Sequence, residues 1–235
     1  GGMLVQTIPA YRLPREILAR EIRMIENMGV DIRPEMKLGR DFTLDSLKNS
    51  GYEAVFIGVG SPQGIKPSIP GIDSEGVVDA LQFLQTYNLR GSVPVGKQII
   101  VVGGGNAAID AARTAVRLGA EKVDIVYRRT QEEMPAWAEE IDAAIEEKID
   151  LHTLTNPKEF ITEDGKIKAV RCVRMKLGAF DASGRRSPVE TDDEITFDAD
   201  QVIIAAGQTL DTHSILGDIQ LKLAGKSQLA RNPRT

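Results

Sequence analysis

A single cysteine, Cys172, occurs in this 235-residue sequence. That excludes an internal disulfide, a Cys-x-x-Cys redox pair and a cysteine-based zinc site. Histidine is almost as scarce: His152 and His213 stand far apart. The spacing assembles no Ser-His-acid set and no metal-ligand cluster, so no catalytic or metal-binding side chain is expected. Apolar runs are short and bounded by charge, well below the ~20 residues of a membrane span. No charged-then-apolar signal segment opens the chain. Neither sign of charge dominates: 29 Lys and Arg against 34 Asp and Glu give a formal net charge of −5. That balance suits neither a nucleic-acid binder nor a membrane-surface protein. Repeats of fixed period and low-complexity tracts are missing as well. What remains reads as a reduced, cytoplasmic protein, whose 42% apolar content can build a real core.

The hydrophobic pattern then places elements. Residues 15–28 put Leu18, Ile22, Ile25 and Met28 on one face of a helix closed by Gly29. Residues 30–37 read as a short strand. Thr43 reads as the N-cap of a helix ending near Asn49, and 54–59 as a strand buried on both faces. The breaker-rich stretch 60–71 is a loop. A helix over 77–87 and a connector over 91–96 follow, with a domain boundary at the connector. Strand and helix then alternate: strand 98–102, helix 106–118, strand 122–127, helix 135–148, strand 149–154. The second of these helices puts Trp137, Ile141, Ala144 and Ile145 on one face. Beyond it the chain is β-rich, with 159–162 and 167–177 joined by a hairpin turn at Asp164-Gly165, then 195–197 and a buried strand over 201–207. The expected class is α/β: a parallel sheet with a small antiparallel excursion within 151–197.

Gly103-Gly104-Gly105-Asn106-Ala107-Ala108 fits G-x-G-x-x-A directly after an expected strand and at the start of an expected helix. That context is what a dinucleotide fingerprint requires. Gly103 allows the tight turn, Gly105 lets a pyrophosphate approach the backbone, and Ala108 lets the helix pack close to the sheet. The helix N-terminus offers N–H groups and a positive dipole end to the phosphates. A glycine turn serving only close packing is the plainer reading. Gly58-Val59-Gly60 also follows an apolar run, but Pro62 beyond it forbids a helix, so one fingerprint is present and not two.

The next strand ends in Tyr127-Arg128-Arg129-Thr130 where an NAD site usually carries an acid for the ribose 2′-OH. The nearby acid, Asp124, lies toward the entry end of the strand. Two guanidinium groups suit a 2′-phosphate, so NADP(H) is favoured over NAD(H); solvated surface arginines are the alternative. The carboxyl edge at Ala205-Ala206-Gly207 permits close backbone contact on the nicotinamide side. His152, His213 and Cys172 read as structural. A cofactor would carry the chemistry.

Gly1-Gly2-Met3 with Ile8-Pro9-Ala10-Tyr11-Arg12-Leu13-Pro14 resembles the opening segment of the glutamate synthase small (β) subunit family. That family takes in the flavoprotein part of dihydropyrimidine dehydrogenase and the NADH-dependent ferredoxin:NADP oxidoreductase. The likeness continues through 54–60, Ile69-Pro70-Gly71, 103–110, Tyr127-Arg128-Arg129, Met134-Pro135-Ala136 and Ala205-Ala206-Gly207, over nearly the whole chain. It implies a Rossmann-like NADP(H)-binding domain over 95–200, inserted between partial FAD-binding segments at 1–94 and 201–235. It implies hydride transfer from NADPH to FAD, then electron flow to an iron–sulfur domain and a larger catalytic subunit. By resemblance Gly1, Gly2, Arg12 and Leu38 match FAD-touching positions. The family's FAD fingerprint, its second FAD segment and its cysteine-rich region have no counterpart in these residues, so the chain is expected to hold no flavin and to be inactive alone. Two other readings stand beside this one: a non-catalytic NAD(P)-binding sensor or scaffold, and a thioredoxin reductase-like enzyme. The second is disfavoured because that chemistry needs a dithiol.

Overall fold

The computed structural model describes residues 1–181 and 184–210. In chain order the helices are α1 (Met3–Gln6), α2 (Arg15–Asn27), α3 (Leu44–Asn49), α4 (Ala80–Arg90), α5 (Asn106–Arg117) and α6 (Ala138–Glu146). The strands are β1 (Gln63–Gly64), β2 (Val77–Asp79), β3 (Gln98–Val102), β4 (Lys122–Val126), β5 (Asp150–His152), β6 (Thr155–Glu163), β7 (Lys166–Phe180), β8 (Arg186–Asp198), β9 (Gln201–Ile204) and β10 (Gln208–Thr209). The chain divides into two compact units, Gly1–Arg12 with Gly64–Gly207, and Leu13–Gln63 with Gln208–Thr235.

In the first unit five strands form a parallel sheet in the order β2-β9-β3-β4-β5. The central strands are continuous apolar runs because both faces are covered. Alternate residues supply two cores. Ile99, Val101, Ile125 and Ile203 face one cluster with Phe83, Leu84, Ile109, Ala112 and Ile141 from α4, α5 and α6. Ile100, Val102, Val126, Val202 and Ile204 face the other, with Phe160, Val170, Cys172 and Phe197 of the antiparallel sheet β6-β7-β8. Helices, parallel sheet and antiparallel sheet therefore make three layers. Asp164 (φ 50) and Gly165 (φ 77) form the tight turn between β6 and β7, as Asp-Gly predicts. The α/β class and the antiparallel excursion are as expected.

Three expectations are corrected. Residues 77–79 are strand, not the start of a helix: they pair with 202–204. The Asp79 side chain then accepts from Gln82 N at 3.0 Å, so the helix starts at Ala80. The helix expected from 135 starts at Ala138, for a reason given below. In the second unit neither 30–37 nor 54–59 forms a strand, and Phe56 is 95% exposed. An apolar run becomes a strand where a partner edge takes up its N–H and C=O groups, and no strand among the described residues pairs with these. α2 and α3 do form there, α3 with the expected Thr43 cap closed reciprocally by Ser46. On α2 Leu18 is buried, while Ile25 and Met28 are exposed. The 91–96 connector lies inside the first unit, between α4 and β3. Among the described residues no helix is long and apolar enough to cross a membrane.

Candidate functional site

The glycine loop joins β3 to α5 at the carboxyl edge of the parallel sheet. Its three glycines have different neighbours. Gly103 sits at φ 149, and a Cβ there would run into the Ala205 carbonyl oxygen. A Cβ on Gly104 would lie 2.5 Å from the Tyr127 ring. A Cβ on Gly105 would find only Pro135 Cγ, at 3.8 Å. The first two glycines are small for the protein's own sake, and the third leaves space. Ala108 is fully buried against the sheet.

Gly105 is the N-cap of α5, with no side chain closing the helix end. Gly103 N donates to Val126 O at 3.1 Å, and the helix ladder starts with Ala108 N and Ile109 N on Gly105 O. The N–H groups of Gly104, Gly105, Asn106 and Ala107 have no hydrogen-bond partner among the described residues. Four unsatisfied donors beside an open side-chain position fit a pyrophosphate. Ala205 lies against Gly103, its N–H donating to Val102 O at 2.8 Å. Ala206 and Gly207 are exposed just beyond, with the Gly207 carbonyl accepting from Ile65 N at 2.9 Å.

A feature the sequence reading missed closes over the loop. Residues 134–137 are extended, with Met134 at φ −67, ψ 128 and Trp137 at φ −65, ψ 138. Ala136 N donates to Gly104 O at 3.2 Å and Trp137 N to Asn106 Oδ1 at 3.1 Å. These bonds hold the segment off helical geometry, so Trp137 becomes the N-cap of α6 and is 66% exposed rather than part of its apolar face. Ile141 and Ala144 face the core as expected; Ile145 does not. The available signal was Asn106 itself, a side chain able to bind backbone at a helix start.

At the end of β4 the two arginines part. Arg128 is exposed. Arg129 is 4% exposed, its Nε donating to Arg186 O at 2.9 Å and its Nη2 to Asp181 at 3.1 Å. Both arginines are expected at a 2′-phosphate; the Arg129 guanidinium is engaged within the protein, and Arg128 is the one left exposed. Asp124, the middle residue of β4, is buried on His152 Nε2, at 2.7 Å, and His152 packs on Phe197. Both side chains are engaged with other groups of the protein. Cys172 is fully buried, and burial pushes its thiol up to about 12. His213 and the expected return segment from 211 lie outside the described residues.

Arg12, matched by resemblance to a flavin contact, has protein partners. Its Nη1 donates to both Asp110 oxygens at 2.9 and 2.7 Å, and its Nε pairs with Glu140 at 3.0 Å. The partner carboxylate of Asp110 is itself buried. Next to it Tyr11 lies under the guanidinium groups of Arg113 and Arg117, 5.0 and 4.1 Å from the ring centre. Gly1 and Gly2 are exposed in the same unit, and Leu38 is half-buried in the other. No group of His, Cys, Asp and Glu among the described residues could hold a metal.

The sequence pattern of the pyridine nucleotide-disulphide oxidoreductases matches residues 4–235. The chain belongs to that family. Among curated pyridine nucleotide-disulphide oxidoreductase relatives, the NADP(+)-dependent formate dehydrogenase subunit beta of Moorella thermoacetica is 43% identical, over 96% of this chain and 32% of its own length. The NADPH-Fe(3+) oxidoreductase subunit beta of Geobacter sulfurreducens is 39% identical, over 90% and 32%. The glutamate synthase [NADPH] small chain of Escherichia coli is 36% identical, over 88% and 46%, which bears out the resemblance read from the sequence. The chain thus spans between about a third and a half of these relatives, which are named as subunits. Within the same fold, FprA from Mycobacterium tuberculosis in complex with NADPH superposes with a TM-score of 0.71 at 18% identity, covering 88% of this chain and 62% of that one. Thioredoxin reductase of T. acidophilum gives 0.54 at 16%, over 73% and 50%.

Proposed function

We propose that this chain is the NADP(H)-docking, electron-entry module of a flavoprotein oxidoreductase that resembles the glutamate synthase small subunit. The observation carrying this reading is the set of four unpartnered N–H groups at the head of α5, next to an exposed arginine and no acid at the end of β4. The N–H groups of 104–107 would hold the pyrophosphate, and Arg128 the 2′-phosphate. The 205–207 edge would lie along the nicotinamide, where small side chains let the ring approach the backbone. Bound NADP(H) supplies a hydride for a flavin. The chain's own residues bind and orient; no side chain here has to give or take a proton for that transfer. In the complete protein the electrons pass on to iron–sulfur centres and a larger catalytic subunit, in the cytoplasm. The 235-residue chain has one dinucleotide fingerprint, so it is expected to purify without flavin and to oxidise no NADPH alone. Names of the relatives support the cofactor: formate dehydrogenase, iron reductase and glutamate synthase are each named with NADP or NADPH.

Calorimetric titration tests the cofactor directly. NADP⁺ should bind roughly 10- to 100-fold more tightly than NAD⁺, the range expected for one screened arginine–phosphate contact. Arg128→Ser should remove that preference by weakening NADP⁺ and leaving NAD⁺ unchanged. The preference should also shrink as salt rises, because the pair is exposed. Equal affinities in the parent chain would sink the assignment.

A further inference from the structure

Arg128 and Arg129 look interchangeable in sequence and are opposites in the fold. The chain bends at these two residues just beyond β4, and Arg128 faces solvent while Arg129 is buried. Arg129 faces the β7–β8 hairpin. Besides its bonds to Arg186 O and Asp181, its own carbonyl accepts from Leu154 N at 2.9 Å. A guanidinium this deeply buried holds its place only while paired, so it is not available to a ligand.

The same hairpin end is fastened a second time. Glu133 Oε1 accepts from Arg186 N at 3.3 Å, and Glu133 Oε2 accepts from the Thr130 backbone and hydroxyl. The Glu133 carbonyl accepts from Tyr127 OH at 2.9 Å, and the Tyr127 ring is what crowds Gly104. Asp181 meanwhile closes the hairpin itself, its Oδ1 accepting from Arg185 N at 3.2 Å and its N–H donating to Arg185 O at 2.7 Å. One continuous set of bonds runs from the hairpin end, through Arg129 and Glu133, to the floor of the glycine loop.

We propose that Arg129 is a positioning residue: it latches the β7–β8 hairpin to the end of β4, and this latch holds Arg128 where a 2′-phosphate is recognised. The proposal rests on reading the site as one for NADP(H). It makes cofactor preference depend on Asp181, some fifty positions beyond the arginines, without contact between Asp181 and the cofactor. Asp181 also separates the latch from the obvious alternative. If Arg129 were itself a phosphate ligand, removing its carboxylate would free it, and NADP⁺ would bind as well or better.

The experiment titrates NADP⁺, NAD⁺ and 2′,5′-ADP into the 235-residue chain and its variants Asp181→Ala and Arg129→Met. Binding is followed by the fluorescence of Trp137, the sole tryptophan. Asp181→Ala should raise the dissociation constants of NADP⁺ and 2′,5′-ADP about 5- to 10-fold while NAD⁺ stays within about 2-fold. Arg129→Met should match it, and the double variant should be no worse than either single one, as expected for two halves of one contact. Unchanged or tighter NADP⁺ binding in Asp181→Ala overturns the latch, and so does a loss in Arg129→Met far beyond that of Asp181→Ala. Should Arg129→Met fail to fold, Asp181→Ala decides alone. A parent chain without preference for NADP⁺ overturns the reading of the site instead.

Discussion

Gly105 differs from the two glycines before it in what a side chain there would touch. Its backbone, φ −93 and ψ 174, is extended and suits a β-branched residue, and the space is open but for Pro135. Gly105→Val should therefore leave the melting temperature within about 2 °C of the parent, the range of a substitution that meets nothing, and still abolish NADP⁺ binding in a calorimeter. Gly104→Ala should do the reverse in part: its methyl meets the Tyr127 ring, and overpacking of ~1–3 kcal/mol lowers melting by roughly 3–10 °C. If both variants lost stability equally, the division of labour among the glycines would be wrong. The spacing of the three glycines was legible, because the motif is local. The contact between Gly104 and Tyr127 was not, since it joins positions 23 apart. The partners of Arg129 are not legible for a similar reason: they lie on a hairpin more than fifty positions downstream.

Helices α5 and α6 are held together by charge as well as by apolar packing. Arg113 bridges Glu140 and Glu147, and Arg117 pairs with Glu147 at 2.6 Å. Arg113 and Arg117 are one turn apart on α5, and Glu140 of α6 and its C-cap Glu147 are two turns apart, so the two rows align. The hydrogen bond from Arg117, then that from Arg113, holds the Glu147 carboxyl down at about 2. A carboxyl whose pKa falls on folding adds stability that is complete above its unfolded value near 4.5. That stability drains away as the pH drops from there through about 2. Glu147 is 23% exposed, so the contribution is at most roughly 2–3 kcal/mol. Denaturant titrations at pH 7 and pH 3 should show Glu147→Gln less stable than the parent at the higher pH, with the gap narrowing at the lower; a constant gap would refute it. The element pattern itself was largely readable, since α5, β3 and β4 follow apolar periods closely. The start of α6 was not: 134–137 have a helical apolar phase, but hydrogen bonds to Gly104 and Asn106 override it. The 54–59 run likewise has the composition of a buried strand and no described partner to pair with.

At the scale of the whole molecule an interior strand of the sheet is the last of its five to be translated. β9 lies between β2 and β3, with Ile100 opposite Val202 and Val78 opposite Ile203. About a hundred residues, including the entire antiparallel sheet, emerge from the ribosome between β3 and the strand that must slot in beside it. Throughout that interval β2 and β3 each carry a bare apolar edge, the kind that recruits other chains. Contacts this distant in sequence also close late and slowly. A chain stopped at Asp200 should accordingly appear in the insoluble fraction of an expression trial, whereas the 235-residue chain stays in the supernatant; a soluble, cooperatively melting 1–200 product would contradict this. The nascent protein therefore carries a gap inside its sheet, between β2 and β3, until residue 204 has emerged.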